Sequence, residues 1–356
     1  MISAIKKRTP LSLIFLFLVM PIFMTSQETV LKNVFDPGMI HVQEEELILV
    51  DGATVFVFSL PDVSPKLSFG KKGQGPGEMT STPYIYNSAI PFLEAYFVDS
   101  QEKVLYFLKD GTYVREKKKP IGVSSIVPVG KNFVGSKLSV FDGKTQYQTV
   151  VLYDTHFKII KELARDISPA QSAKATTELP LDALNFTVYR DNIYVERSRE
   201  GFLINVYNSD GELIRQIRNE RKRKSIGGKE KKELLENFKN DPSIKAFGFE
   251  NVLRETKLIY PDYLPAITGL VIADDRLYVK TSQKYVVPAE FMVLDLEGDE
   301  LGRFQISGLT ETPYVAHLNN VNVKYYTISQ GKIYYLIFGD EDTRLKVQPI
   351  DLERTF

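Results

Sequence analysis

Eleven residues, Phe69–Met79 ("FGKKGQGPGEM"), hold four glycines and one proline. Glycine-rich turns can cradle a phosphate with backbone N–H groups, but that chemistry needs Gly-Lys-Ser/Thr at the loop's end and a helix behind it. Neither follows: the chain continues Thr80, Ser81, Thr82, Pro83. A dinucleotide fingerprint fails for want of a βαβ unit. The stretch reads instead as a sharp connection, its glycines permitting unusual φ values and Pro76 stiffening the middle. Gln74 and Glu78 are the side chains within it that could meet a ligand.

Other chemistry is sparse. The histidines are His41, His156 and His317, scattered along the chain, whereas a catalytic zinc typically takes about three protein ligands. No cysteine is present, which excludes disulfides, thiolate catalysis and Cys-based zinc sites. No nucleophile-elbow pattern brings Ser, His and an acid together. No cofactor is expected. A calcium site of Asp and Glu stays open, since such clusters become visible only in three dimensions. Formal net charge is zero, which argues against a nucleic-acid partner. The densest charge is Arg218–Lys232, "RNERKRKSIGGKEKK", with eight basic and two acidic residues. It reads as a solvated surface loop, with contact to an acidic partner as the sharper alternative.

The elements that must position these residues are strands. Tyr (19) and Phe (22) suit pleated surfaces. A pattern of strand, polar turn, strand, loop, strand, Asp-Gly turn, strand is clearest in Tyr189–Arg218 and recurs six times between Glu44 and the C-terminal end. Its outer turns fall near residues 61, 110, 154, 210, 297 and 351. Most spacings are about 45 to 55 residues, the period of propeller blades. The last unit runs out after three strands, while "ETVLKNVF" (Glu28–Phe35) precedes the first as a spare strand. The expectation is an all-β, six-bladed β-propeller over residues 27–356, closed by that N-terminal strand, which removes two open sheet edges. A short helical insertion, about 219–264, is expected between blades four and five. In it Leu234, Leu235 and Phe238 share one helix face, and Asp241-Pro242 ends the helix.

Residues 1–26 read as an export signal: Lys6, Lys7 and Arg8, then an apolar run Leu11–Met24 broken only by Ser12 and Pro21. The run is shorter than the roughly 20 residues of a comfortable membrane span, so no transmembrane domain is expected after cleavage. The mature chain is expected outside the cytoplasm: periplasmic, in the cell envelope, or secreted.

The residues Leu67–Glu116, beginning with a Phe-Gly, several glycines and a Gly-Glu and then "VDS", resemble an NHL-type blade. "GQGPGE" resembles the hallmark loop of exported six-bladed propeller proteins grouped as TolB-like or NHL-like, and "YPDYLPAITGL" (Tyr260–Leu270) is a second match. The resemblance covers Glu28–Phe356 and implies the fold far more than a function. Relatives often carry a lipidated cysteine after the signal, and this chain has none. In the register of the repeat, the inter-blade links share one face, which collects Gln74, Glu78, Tyr84, Arg254, Tyr260, Asp262, Tyr263, Tyr314 and His317. Tyrosines with a few polar partners suit glycan or peptide recognition. The function expected is a non-enzymatic scaffold for a protein or carbohydrate partner in the cell envelope. The alternative is a metal-dependent hydrolase or lactonase of propeller type.

Overall fold

A computed structural model of the protein describes residues 27–90, 93–140, 145–171, 175–180, 182–240, 242–281, 289–306, 326–338 and 342–353. The expected export signal, Tyr314 and His317 lie outside them.

Among the described residues the strands form six four-stranded antiparallel sheets, five of them simple meanders, and one small three-stranded sheet. The first holds Pro37–Gln43, Glu46–Asp51, Thr54–Ser59 and Ser64–Phe69. The second holds Tyr84–Ile90, Leu93–Asp99, Lys103–Leu108 and Tyr113–Lys118. The third holds Val123–Val129, Asn132–Val140, Gln146–Tyr153 and Ile159–Ile167. The fourth holds Phe186–Tyr189, Asn192–Glu196, Phe202–Asn208 and Leu213–Asn219. The fifth holds Gly269–Ala273, Arg276–Thr281, Ala289–Asp295 and Glu300–Ile306. The sixth takes Tyr326–Ser329, Lys332–Phe338 and Thr343–Pro349 from one end of the chain and Gln27–Leu31 from the other. Gln27–Leu31 runs antiparallel to Thr343–Pro349, with Val30 opposite Arg344.

Middle strands are apolar on both faces because each sheet is packed on both faces. In Glu46–Asp51, Leu47 and Leu49 join the core shared with the sixth sheet, while Ile48 and Val50 join the core shared with the second. That is the two-residue alternation of a strand, used on both sides. Similar clusters fill the spaces between second and third, third and fourth, fourth and fifth, and fifth and sixth sheets. The outermost strands carry charge instead, as in Tyr113–Lys118, which faces solvent at the rim. The first strand of each sheet touches the first strand of the next, and that of the sixth touches that of the first.

Turns are shaped to pack as well as to reverse the chain. Gly298, in the Asp295–Glu300 turn, has φ of 105°, and a Cβ there would sit 2.8 Å from Ile217 Cγ2 of the preceding sheet. Only glycine combines that backbone with that approach.

Between Asn219 and Gly269 the chain leaves the sheets. An α-helix over Gly228–Asn240 buries Leu234 and Phe238; two short helices follow, Pro242–Phe247 and Phe249–Glu255. Pro242 at the start of the second helix suits a position that needs no intrahelical N–H. Ile226, Leu234 and Leu264 pack together with Tyr260 against them, so the first helix is fixed by its apolar stripe. Lys257–Ile259 then pairs in parallel with Thr176–Glu178, from the link between the third and fourth sheets. Among the described residues, no helix is long and apolar enough to cross a membrane.

Candidate functional site

The glycine-rich loop is a clasp between the first two sheets. Gly73 N–H donates to Met79 O at 3.0 Å, and Met79 N–H to Lys71 O at 2.8 Å. Glu78 turns into the loop, accepting from Gly75 N–H at 2.9 Å and pairing with Lys71 Nζ at 3.0 Å. The Gly75 N–H, and then Lys71, hold its carboxyl below the usual range. Gly77 N–H donates to Glu116 at 3.2 Å, and Lys103 Nζ donates to Gly75 O at 3.1 Å. Met79 is fully buried in the core between the sheets. Gly77, at φ 74°, lies so close to Tyr113 that a Cβ would come within 3.0 Å of the ring. Gln74 is exposed on the loop.

Tyr84 opens the second sheet and is half-buried against the same core. Burial, reinforced by the charge of Asp99, pushes its hydroxyl pKa up to about 12. Asp99 forms an ion pair with Lys119 at 2.7 Å, with both side chains almost wholly buried. The pair joins sheets: Asp99 ends a strand of the second, Lys119 lies on the link to the third, and Ile126 N–H of the third donates to Asp99 at 2.9 Å. Lys119 also donates to Ser124 O at 3.1 Å. Burial raises the Asp99 pKa to about 6 against the opposing pull of Lys119.

The basic stretch after Asn219 is pinned to the fold rather than loose. Ser225 bridges Tyr263, Ile226 N–H donates to Asp262 O at 2.9 Å, and Leu264 N–H donates to Lys224 O at 2.8 Å. In this extended run the side chains alternate: Arg221 and Arg223 are half-buried, Lys222 and Lys224 exposed. Arg221 Nη2 donates to Glu290 of the fifth sheet at 2.9 Å. Arg223 Nη1 donates to Arg199 O at 3.1 Å, and its guanidinium lies 5.1 Å from the Tyr263 ring centre. Arg221–Lys224, with Phe202, Leu264 and Thr281, line a small cleft of about 30 Å³ between the fourth and fifth sheets.

Beside the cleft lies a buried acidic group. Asp182 and Glu196 are both nearly inaccessible. Burial lifts the Asp182 pKa to about 7, opposed by Arg199, and the Glu196 pKa to about 8, helped by the charge of Asp182. Arg199 reaches Glu178 at 2.8 Å, and Arg197 pairs with Asp166 at 3.4 Å and with Glu200. A cleft lined by four cations and the Phe202 ring, with the nearby carboxyls biased by burial towards their neutral form, can hold an anion.

The residues expected on one face form two groups, at two junctions between sheets. Gln74, Glu78 and Tyr84 stand at the junction of the first and second sheets, and Glu78 is engaged within its own loop. Tyr260, Asp262 and Tyr263 lie with the basic run beside the fourth and fifth. Arg254 is exposed on a short helix. Among the described residues no hydrogen bond, ion pair or ring contact joins the first group to the second. Among them, too, no three His, Asp or Glu side chains gather as a metal site. Arg221 and Arg223 belong to the basic stretch whose sharper reading from sequence is contact with an acidic partner, whereas nothing in the sequence marks Asp182 or Glu196. The signal for the arginines is the charge density of Arg218–Lys232; which of the cations turn inward depends on the extended conformation of the run.

No family model matches the chain, and no curated protein matches it. Among solved structures, a protein from Bacteroides fragilis described as exported is 15% identical, with a TM-score of 0.53 over 92% of this chain and 96% of that one. A member of the DUF4221 family from Bacteroides vulgatus is 8% identical, with a TM-score of 0.46 over 92% and 97%. BamB from Moraxella catarrhalis is 10% identical, with a TM-score of 0.32 over 88% and 83%. At 15% identity the first likeness concerns the fold alone. Stacked four-stranded meanders, each sheet's inner strand against the next, complete the description. The fold is β-propeller-like. In such a propeller the turns and links at one end of the sheets vary while the sheets stay fixed, so the cleft is set by rigid neighbours.

Proposed function

We propose that this chain is an exported, non-enzymatic six-bladed β-propeller, closed by Gln27–Leu31, that recognises a glycan, peptide or protein partner in the cell envelope. The relationship suggested by the Phe69–Met79 loop, to NHL-like or TolB-like propellers, is part of this reading, as is removal of residues 1–26 on export. The observation that carries the recognition role is the cleft between the fourth and fifth sheets, lined by Arg221–Lys224 with Tyr263 stacked beside it. Tyrosine and arginine together supply contact area and directed hydrogen bonds at little entropic cost, as in the energetic centres of many interfaces. The hydrolase or lactonase alternative has no observation among the described residues that favours it.

The test is a binding panel of envelope glycans and peptides presented to the full chain. Binding is expected to weaken about tenfold or more in Tyr263→Ala, or about 1.4 kcal/mol, and to persist in Gln74→Ala. Binding that survives Tyr263→Ala but is lost in Gln74→Ala would move recognition to the glycine loop. A panel with no binder would remove the recognition role.

A further inference from the structure

We propose that the cleft between the fourth and fifth sheets is an oxyanion site, taking the carboxylate, sulfate or phosphate group of its ligand against Arg221 and Arg223, with Lys222 and Lys224 at the rim. The proposal rests on the reading of the cleft as a recognition site and names the chemistry it recognises.

The argument starts from charge. Four consecutive cations line the cleft. Glu290, the partner of Arg221, is shared with Arg303 at 4.0 Å and with the Thr281 hydroxyl at 3.3 Å. Glu230 meets Lys224 at 3.3 Å and also accepts from Gly227 N–H. Among the described residues Lys222 and Arg223 make no ion pair. The cleft therefore holds more positive charge than its carboxylates neutralise. Asp182 is near enough to feel Arg223, yet its burial favours the neutral acid.

Hydrogen bonding points the same way. Among the described residues, Arg221 Nη1 and Arg223 Nε are buried without an acceptor. An unpartnered buried donor costs about 1–3 kcal/mol, and more on a charged group. A guanidinium offers five donors in a planar fork that matches a carboxylate, sulfate or phosphate. Here each fork has one anchor, Glu290 for Arg221 and the Arg199 carbonyl for Arg223, and donors left over. The hydroxyls of a neutral sugar would supply acceptors without the charge. An oxyanion supplies both. Tyr263 holds the Arg223 plane in place, which lowers the ordering cost on binding.

The probes are inorganic phosphate and sulfate, titrated into the full chain at fixed ionic strength with chloride as the reference, followed by calorimetry and melting temperature. Saturable binding of at least one is expected. It should weaken tenfold or more in Arg223→Gln and in the Lys222→Gln/Lys224→Gln double variant, whose exposed side chains leave folding intact. If Arg223→Gln does not fold, the lysine variant decides. A second arm compares an oligogalacturonate with its neutral methyl ester. Tighter binding of the acid supports the proposal with a sugar-borne carboxylate as the source; binding of phosphate or sulfate alone supports it with a free inorganic anion. No saturable effect from any of these anions, or effects unchanged in both variants, overturns it. If neither phosphate nor sulfate binds, the ester binds as tightly as the acid, and Tyr263→Ala weakens both, the recognition role stands and the oxyanion site falls.

Discussion

Lys119→Met is expected to destabilise the protein by about 3–5 kcal/mol at pH 8, the cost of stranding one member of a buried ion pair. Asp99 would keep only the Ile126 N–H as a described partner. The sign of the pH dependence follows from burial. The Asp99 pKa already stands at about 6, above the value of an exposed aspartate. A raised carboxyl favours the folded state most in acid, and that advantage is lost as pH climbs from about 4 through 6. Removing Lys119 raises the pKa further, so at pH 5 Asp99 holds a proton and most of the defect disappears. Urea unfolding at the two pH values measures this. The double variant Asp99→Asn/Lys119→Met should recover much of the loss at pH 8. Equal losses at pH 5 and pH 8, or a loss under about 1 kcal/mol, would mean that the pair is solvated and weak, as surface pairs are.

Glu196→Gln is expected to act in the opposite direction. Burial, and then the charge of Asp182, holds the Glu196 pKa near 8, and burial holds that of Asp182 near 7. Both are raised, so each contributes most below its unfolded value, near pH 4. Each contribution falls as pH rises to the folded value, at about 1.4 kcal/mol per unit. The wild-type chain should therefore lose stability between about pH 5 and pH 8. Glu196→Gln removes one charge that is hard to bury, so the slope flattens and the variant outlasts the wild type at pH 9. Lowered stability of the variant at pH 9 would mean that the ionised carboxylate is needed where it lies.

The strands and their turns were legible because their signals are local. Asp110-Gly111 and Asp210-Gly211 mark turns whose glycines have φ of 85° and 80°. "ELILVD" is apolar at four successive positions, as a strand packed on both faces requires. The helix over Gly228–Asn240 followed from the spacing of Leu234 and Phe238. Charges were harder to place. "VDS" and "VERS" look like polar strand ends, and nothing local says that Asp99 and Glu196 turn inward. The basic run looked solvated because its partners, Glu290 and Arg199, stand far off in sequence. The neighbourhood of Tyr263 and Arg223 depends on the Ser225–Tyr263 bridge, whose register spans a helical excursion. Glu78 looked available for a ligand because glycine loops often serve one; its hydrogen bond to Gly75 is a property of the loop's exact shape.

The ring itself is most directly tested by joining its two ends. The chain has no cysteine, so a Val30→Cys/Arg344→Cys variant carries only the introduced pair. The two positions are exposed and opposed across antiparallel strands. Opposed residues have Cα atoms about 4.5–5.5 Å apart, within the range a disulfide spans. Mild oxidation of the folded chain should give an intramolecular disulfide in the monomer and a melting temperature above that of the reduced form. Thiols that stay free, or that link only between chains, would contradict closure of the sixth sheet by the N-terminal strand.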